Sequence, residues 1–267
     1  MHPRLGALAA LRLTDPDAKV AATRALAAHA VAAPLSTEAL RVAGDEAGVP
    51  GRPERPPLVD PTATGKRSPF TPEGRASLVH AICHIEFNAI NLALDAVWRY
   101  DGMPEAYYRD WLRVADEEAQ HFTLLHAHLK GMGFAYGDFI GHDGLWAMCE
   151  KTKDDVVARM ALVPRTLEAR GLDATPLIQA KLQRVATPDA AAVIAILDII
   201  LRDEVGHVAI GNRWYRWLCA RDGLDPIALY RVLYRRYEAP RMRSPFNLEA
   251  RARAGFTAEE LDELVRG

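Results

Sequence analysis

Downstream of a proline-rich stretch, apolar residues recur in steps of three and four: Val79, Ile82, Cys83, Ile90, Ala93, Leu94 and Val97 form one stripe of a 3.6-residue helix. The pattern predicts a helix from about Ala76 to Tyr100. After the break "YDGMPE", a second stripe of Trp111, Val114, Ala115, Phe122, Leu125 and Leu129 predicts a helix from about Glu105 to Lys130. A glycine-rich crossing, "GMGFAYGDFIGHDG", leads to a third helix of roughly 145–170, with Val156, Val157, Met160 and Leu167 in phase and Pro164 expected to bend it. The fourth follows Thr187-Pro188-Asp189, a capping hydroxyl, a first-turn proline and an acid suited to the helix dipole. It is expected to run to about Cys219, with Val193, Leu197, Ile200, Gly211 and Trp214 in its seam.

The flanks read differently. Residues 1–46 are rich in Ala, Leu and Arg, and Thr14 to Asp17 look like a cap opening a helix that ends near Ala32. Residues 47–75 shift to Pro, Gly and charge, which removes backbone donors and favours an extended arm. Residues 221–267 read as a helical extension. Strand signals are nearly absent, so the expected fold class is all-α, a four-helix bundle over 76–220 with an N-terminal helical and extended arm and a C-terminal helical extension.

Composition narrows the function classes. A chain of 267 residues, 49% hydrophobic and 25% charged, can bury a sizeable core. Its net charge of −2 gives no global attraction for nucleic acid or anionic membrane. Cys83, Cys149 and Cys219 are odd in number and far apart, which argues against a disulfide framework or a Cys-x-x-Cys site and for a reducing compartment. The start resembles no signal or transit peptide, and the most apolar run, "AAAVIAILDIIL", is too short for a bilayer and contains Asp198. A cytoplasmic protein without a membrane segment is expected.

Six charge-capable residues interrupt the apolar stripes: Glu86 on the first helix, Glu118 and His121 on the second, Glu168 on the third, and Glu204 and His207 on the fourth. Burying a carboxylate costs several kcal/mol or more unless it is paired or bound to metal. Residues three apart are helix neighbours, so each Glu-x-x-His presents one oxygen and one imidazole to a single point. Each is preceded by a helix with a lone inward glutamate. Glu86 lies about 14 residues before the end of its helix and Glu118 about 13 after the start of the next, so an antiparallel pair would hold them at one height. For Glu168 and Glu204 the heights match only if "PLIQAKLQRV" continues the third helix beyond a bend. Four carboxylates and two imidazoles suit two iron or manganese ions, or a mixed pair, bridged by carboxylates.

The segments "HIEFNAINLALDA" with "ADEEAQHF", then "PRTLEARGLD" with "RDEVGHVAIGNRWY", resemble the ferritin-like di-iron carboxylate superfamily. More narrowly, "GRPERPPLV" (51–59) and "SPFNLEARARAGF" (244–256) are similar to segments of a bacterial ferritin-like family known only as a domain of unknown function. The resemblance covers roughly 45–260 and implies metal ligands Glu86, Glu118, His121, Glu168, Glu204 and His207, with Glu118 and Glu204 bridging. It implies an O2-dependent oxidoreductase acting on a small organic substrate, with electrons from an external donor. Other readings are a ferroxidase or iron-storage protein, a peroxide-reducing protein similar to rubrerythrin, a hydroxylase of a modified tRNA base, and a metal-free helical scaffold. A homodimer is the assembly considered beside the leading reading, whereas iron storage would call for a cage of many chains.

Other residues carry blander readings. His84 points away from Glu86 and reads as hydrogen-bonding; Cys83 reads as packing. Asp198 is either a partner for a ligating imidazole or a helix–helix hydrogen-bond acceptor. Asp116, Glu117 and Asp203 read as surface groups or as hydrogen-bond partners of the ligands rather than ligands themselves, and Trp98, Trp214, Tyr215 and Trp217 as core, with a ring around a pocket as the alternative. "YRRYEAPRMR" (234–243) interleaves Arg with aromatics and reads as a solvated helix end or a contact to an anionic partner such as RNA.

Overall fold

The structure, a computed structural model, describes residues 2–36, 48–63, 65 and 67–266. Residues 37–47, 64 and 66, which the sequence divides between lead-in and arm, lie outside the described residues. The described chain is helical, apart from two dipeptide strands, β1 (Leu58–Val59) and β2 (Gly141–His142), which pair in parallel. Two compact units divide it, the first ending at Gly144 and the second starting at Leu145.

In the first unit α1 is Pro3–Leu11, α2 Pro16–Ala32, α3 Pro72–Arg99 and α4 Glu105–Gly131. Asp15 caps α2 by accepting from Ala18 N, and Thr71 caps α3 by accepting from Gly74 N, each with proline at the helix start. The expected stripes are the buried ones: Val79, Ile82, Cys83, Ile90, Ala93, Leu94 and Val97 are all at most 8% exposed, and the α4 stripe at most 2%. Each such large aliphatic side chain contributes roughly 1.5–3 kcal/mol relative to exposure. Contacts run inversely along the two helices, with Ala96 O meeting Tyr107 Oη at 3.2 Å, Glu86 meeting His121, and Cys83 Sγ meeting Phe122 O, so α4 returns antiparallel along α3. By length and composition α3 would also cross a bilayer, but 78% of its most apolar window is buried within the protein. It is a core helix, and the most apolar run of the sequence was not its best membrane candidate.

The arm is pinned to this unit. Gly51 N donates to Leu11 O at 2.8 Å, Lys19 Nζ donates to Gly51 O at 2.7 Å, and Arg52 forms a two-bond pair with Asp143 at 2.8 Å. The glycine-rich crossing lies against α3 through histidines: Gly137 N donates to His80 Nε2, and His84 bonds Tyr136 Oη at 2.8 Å. A Cβ on Gly141 would sit 2.7 Å from His84 Nε2, so this approach requires glycine. His84 is thus structural, as its position on the helix suggested.

In the second unit the expected single helix over 145–170 is divided. It comprises α5 (Gly144–Lys151), α6 (Val156–Leu162), a π-helical segment (Val163–Glu168) and α7 (Ala169–Val185). The interruption at 152–155 arises because Asp155 turns from chain continuation to capping, accepting from Ala158 N. Pro164, which lacks a donor, opens the π turn rather than ending the helix, and Pro176 is likewise accommodated inside α7. α8 (Pro188–Arg221) begins at Thr187, whose side chain makes no cap bond, contrary to expectation. The hydrogen bond from Gln179 to Asp198, the approach of Gly171 to Glu204 and that of Gly211 to Pro164 show α8 antiparallel to α7, the π segment and α6 in one continuous register. A Cβ on Gly211 would lie 2.5 Å from Pro164 Cβ. Then come α9 (Pro226–Arg236), α10 (Leu248–Arg253) and α11 (Ala258–Arg266).

Candidate metal centre

In the first unit, the α3–α4 hairpin brings together Glu86, Glu118 and His121, which are 3%, 0% and 0% exposed. One ligand atom from each lies within 4.8 Å of the others. His121 Nδ1 stands 3.2 Å from Glu118 Oε2 and 3.3 Å from Glu86 Oε2. The i, i+3 spacing places Glu118 and His121 on one face of α4, and antiparallel return along α3 supplies Glu86 at the same height. Ligands about 2.1 Å from a shared cation and 90–180° apart are about 3–4.2 Å from one another, so the spacing fits a common ion.

The electrostatics agree with that chemistry. Burial raises the Glu86 carboxyl well above the usual range, and the neighbouring Glu118 raises it further. Burial pulls the His121 imidazole down, but the Glu118 and Glu86 carboxylates outweigh it and push the ring up. Two buried acids facing one imidazole thus compete for protons; a divalent cation satisfies both carboxylates at once.

In the second unit, Glu204 and His207 lie one turn apart on α8, 8% and 0% exposed, with His207 Nδ1 3.9 Å from Glu204 Oε2. Glu168, 8% exposed, closes the π segment. The register, with Gly171 against Glu204 and Pro164 against Gly211, sets Glu168 level with His207. The continuation of the third helix into α7, on which the height argument depended, is therefore present. Glu168, Glu204 and His207 do not form a group of three close ligand atoms among the described residues of this unit.

Other candidates separate cleanly. Asp198 is exposed and accepts from Gln179 at 2.7 Å, the helix–helix alternative rather than an imidazole partner. Asp116 faces Arg24 at 3.6 Å and Asp203 pairs with Arg202. Cys83 is buried, and burial lifts its thiol well above the ordinary range, as packing requires. Trp98, Trp214 and Tyr215 are core, whereas Trp217 is 37% exposed.

What sequence patterning missed is the lock on the C-terminal segment. Asn247 N donates to Asp173 Oδ1 and Asn247 Oδ1 caps α10, while Arg251, 1% exposed, donates twice to Asp173 and once to Ala169 O. The segment "SPFNLEARARAGF" is thus a clamp onto α7. Its partner Asp173 is 78 residues away from Arg251 and carries no periodic signal.

The chain is 52% identical over 217 residues to an uncharacterized protein of Haemophilus influenzae, covering 79% of this chain and 74% of that one. No solved structure matches. A family model described as "Protein of unknown function (DUF455)" matches residues 12–262, and the chain belongs to that family.

Proposed function

We propose that this protein is a two-metal carboxylate oxidoreductase of ferritin-like architecture, in which the α3–α4 hairpin and the α6–α8 hairpin each carry one lone glutamate and one Glu-x-x-His pair of the ligand set. The observation that carries the reading is the buried Glu86–Glu118–His121 triad, whose donor atoms have the spacing of ligands to one cation. The order Glu, then Glu-x-x-His, recurs on Glu168, Glu204 and His207, in a hairpin with matching register. Glu86, Glu118 and His121 in the first unit, and Glu168, Glu204 and His207 in the second, are the residues that would hold the metal.

Iron or manganese held there would supply one-electron redox chemistry and reaction with O2. The chain's own contribution is to hold the ligands and exclude water. Phe87 and Phe122, each next in sequence to a triad residue, pack with ring centroids 5.4 Å apart, and Ile90, Val114 and Ala115, each three or four positions from a triad residue on its helix, are buried. The small organic substrate would be oxidised by O2, and the two electrons needed to reduce the second oxygen atom to water would come from an external donor, since the described chain shows no Cys-x-x-Cys pair to carry them. A localisation in the cytoplasm accords with three buried free cysteines.

A second reading has its own support: a protonated His121 between Glu118 and Glu86 is a self-sufficient ion cluster for a metal-free scaffold. Metal analysis of protein from iron- and manganese-supplemented cells decides between them. The two-metal reading expects about two transition-metal ions per chain, with Glu118→Gln and Glu204→Gln each cutting the content by half or more. Content below one ion per chain, unchanged in both variants, establishes the scaffold. A multi-chain shell enclosing mineral would establish iron storage instead.

A further inference from the structure

The second unit contains a cavity of about 850 Å³, away from Glu168, Glu204 and His207 in its lining, formed by α9, the 241–246 segment, α11 and the π segment. Its composition is unusual. Seven arginines line it against two glutamates, with Tyr230, Tyr234, Phe246 and Phe256 supplying the rings.

The acids are already engaged. Glu260 accepts from Arg165 at 2.7 Å and Arg216 at 2.8 Å, as well as from Thr257 N, and Glu263 is held by Arg231. Arg251 is occupied by Asp173. Arg266 has Asp262 at 3.8 Å. At the exposed rim, Arg235, Arg241 and Arg243 have no acidic partner among the described residues. Three guanidinium groups converge there without neutralisation, and each can grip an anionic oxygen pair.

The floor adds an independent observation. Arg165 is 3% exposed, lies 4.7–5.3 Å from the rings of Phe256, Tyr230 and Tyr215, and is fixed by Asn212 and Glu260. Its Nε is buried and has no hydrogen-bond partner among the described residues. A buried donor left unmade costs about 1–3 kcal/mol unless a ligand or water meets it. Tyr234 and Phe246 are half-buried in the same lining, and the Phe246 ring lies 5.6 Å from the Arg251 guanidinium.

We infer that this cavity binds a free nucleotide: its phosphates on Arg235, Arg241 and Arg243, its planar base against Tyr234 and Phe246. The volume lies within the ordinary range for small-molecule sites, about 300–1,000 Å³. Phosphate alone would leave the aromatic walls unused, and a ring without phosphate would leave three arginines unneutralised. The site is separate from the metal ligands and its test does not depend on them.

The test is titration calorimetry on the full chain at low salt with ATP, AMP, adenosine, inorganic phosphate and a single-stranded RNA 12-mer. Saturable binding is expected in the order ATP, AMP, adenosine, with phosphate weaker than AMP. The double variant Arg241→Ser/Arg243→Ser, both exposed, should weaken ATP by roughly tenfold to a hundredfold, the equivalent of one or two lost charge-assisted hydrogen bonds. Tyr234→Leu should weaken AMP while leaving phosphate unchanged, which a purely electrostatic surface would not do. Unchanged melting temperature and metal content establish that these variants fold and that the metal centre is untouched. No saturable nucleotide binding, equal affinity for phosphate and AMP, an unaffected arginine double variant, or binding of the RNA without the nucleotides would each overturn the assignment.

Discussion

Replacing Glu118 by Gln tests the centre where its physics is most exposed. The side chain is 0% exposed, and Gln keeps its volume while removing one of two buried carboxylates beside His121. Without metal, the variant should therefore melt no lower than wild type, because it relieves the like charge felt by Glu86. With metal, the order reverses. A ligand present at a hundred times its dissociation constant stabilises by about 2.7 kcal/mol. The first unit, ending at Gly144, has an unfolding entropy of about 0.3 kcal/mol/K at about 2.1 cal/mol/K per residue, so its melting temperature should rise by about 9 °C. Scanning calorimetry of chelator-stripped protein, titrated with Mn²⁺ or anaerobic Fe²⁺, measures this. A wild-type shift of that size that falls below about 2 °C in the variant supports the triad as a ligand set. A wild-type protein indifferent to both metals, or a variant that keeps the full shift, refutes it.

Three further outcomes follow from single side chains. Lys19 is fully buried, donating to Gly51 O and Asn91 Oδ1, and burial, then the Arg52 charge, lower it from 10.5 to about 7. Between those values the unfolded chain holds the extra proton, so stability should rise with pH by up to about 1.4 kcal/mol per unit and be lost as pH falls toward 7; in urea unfolding from pH 7 to 9, Lys19→Met should flatten that slope, and identical slopes would sink the argument. Asp173→Asn leaves the buried Arg251 without its carboxylate and should destabilise the second unit by about 3–5 kcal/mol, read by chemical unfolding and by earlier proteolysis after Ala239. Ala186 ends α7 at φ 53°, a left-handed conformation costly for any residue with a Cβ, so Ala186→Gly should stabilise by about 0.5–1 kcal/mol in thermal unfolding; a loss of stability would show the conformation to be unstrained.

Much of the candidate site was legible because helical periodicity is a local property. Steps of three and four force Glu86, Glu118, His121, Glu204 and His207 onto the same faces as Ile90, Leu125 and Ile200, and every one of them is buried. The proline-led helix starts at 16 and 188 were equally local, since ring closure at φ near −65° needs no distant partner, whereas α3 starts at Pro72, four residues before the expected Ala76 and inside the stretch read as arm. Glu168 was the least certain position, since backbone bonding around Pro164 can shift to i, i+5 and a residue count cannot choose between a π turn and a helix end.

The sequence alone determined the helical class, the helix hairpins and the set of acid and imidazole side chains turned inward, because burial pattern and short spacing settle these residue by residue. The tertiary structure decided what depended on distant partners. Asp198 turned out to be an exposed acceptor, the 244–256 segment clamps onto Asp173, the arm is held by Lys19, and seven arginines gather around one cavity. Contacts spanning 19 to 95 residues reflect the free energy of the whole packed chain, which no local period encodes.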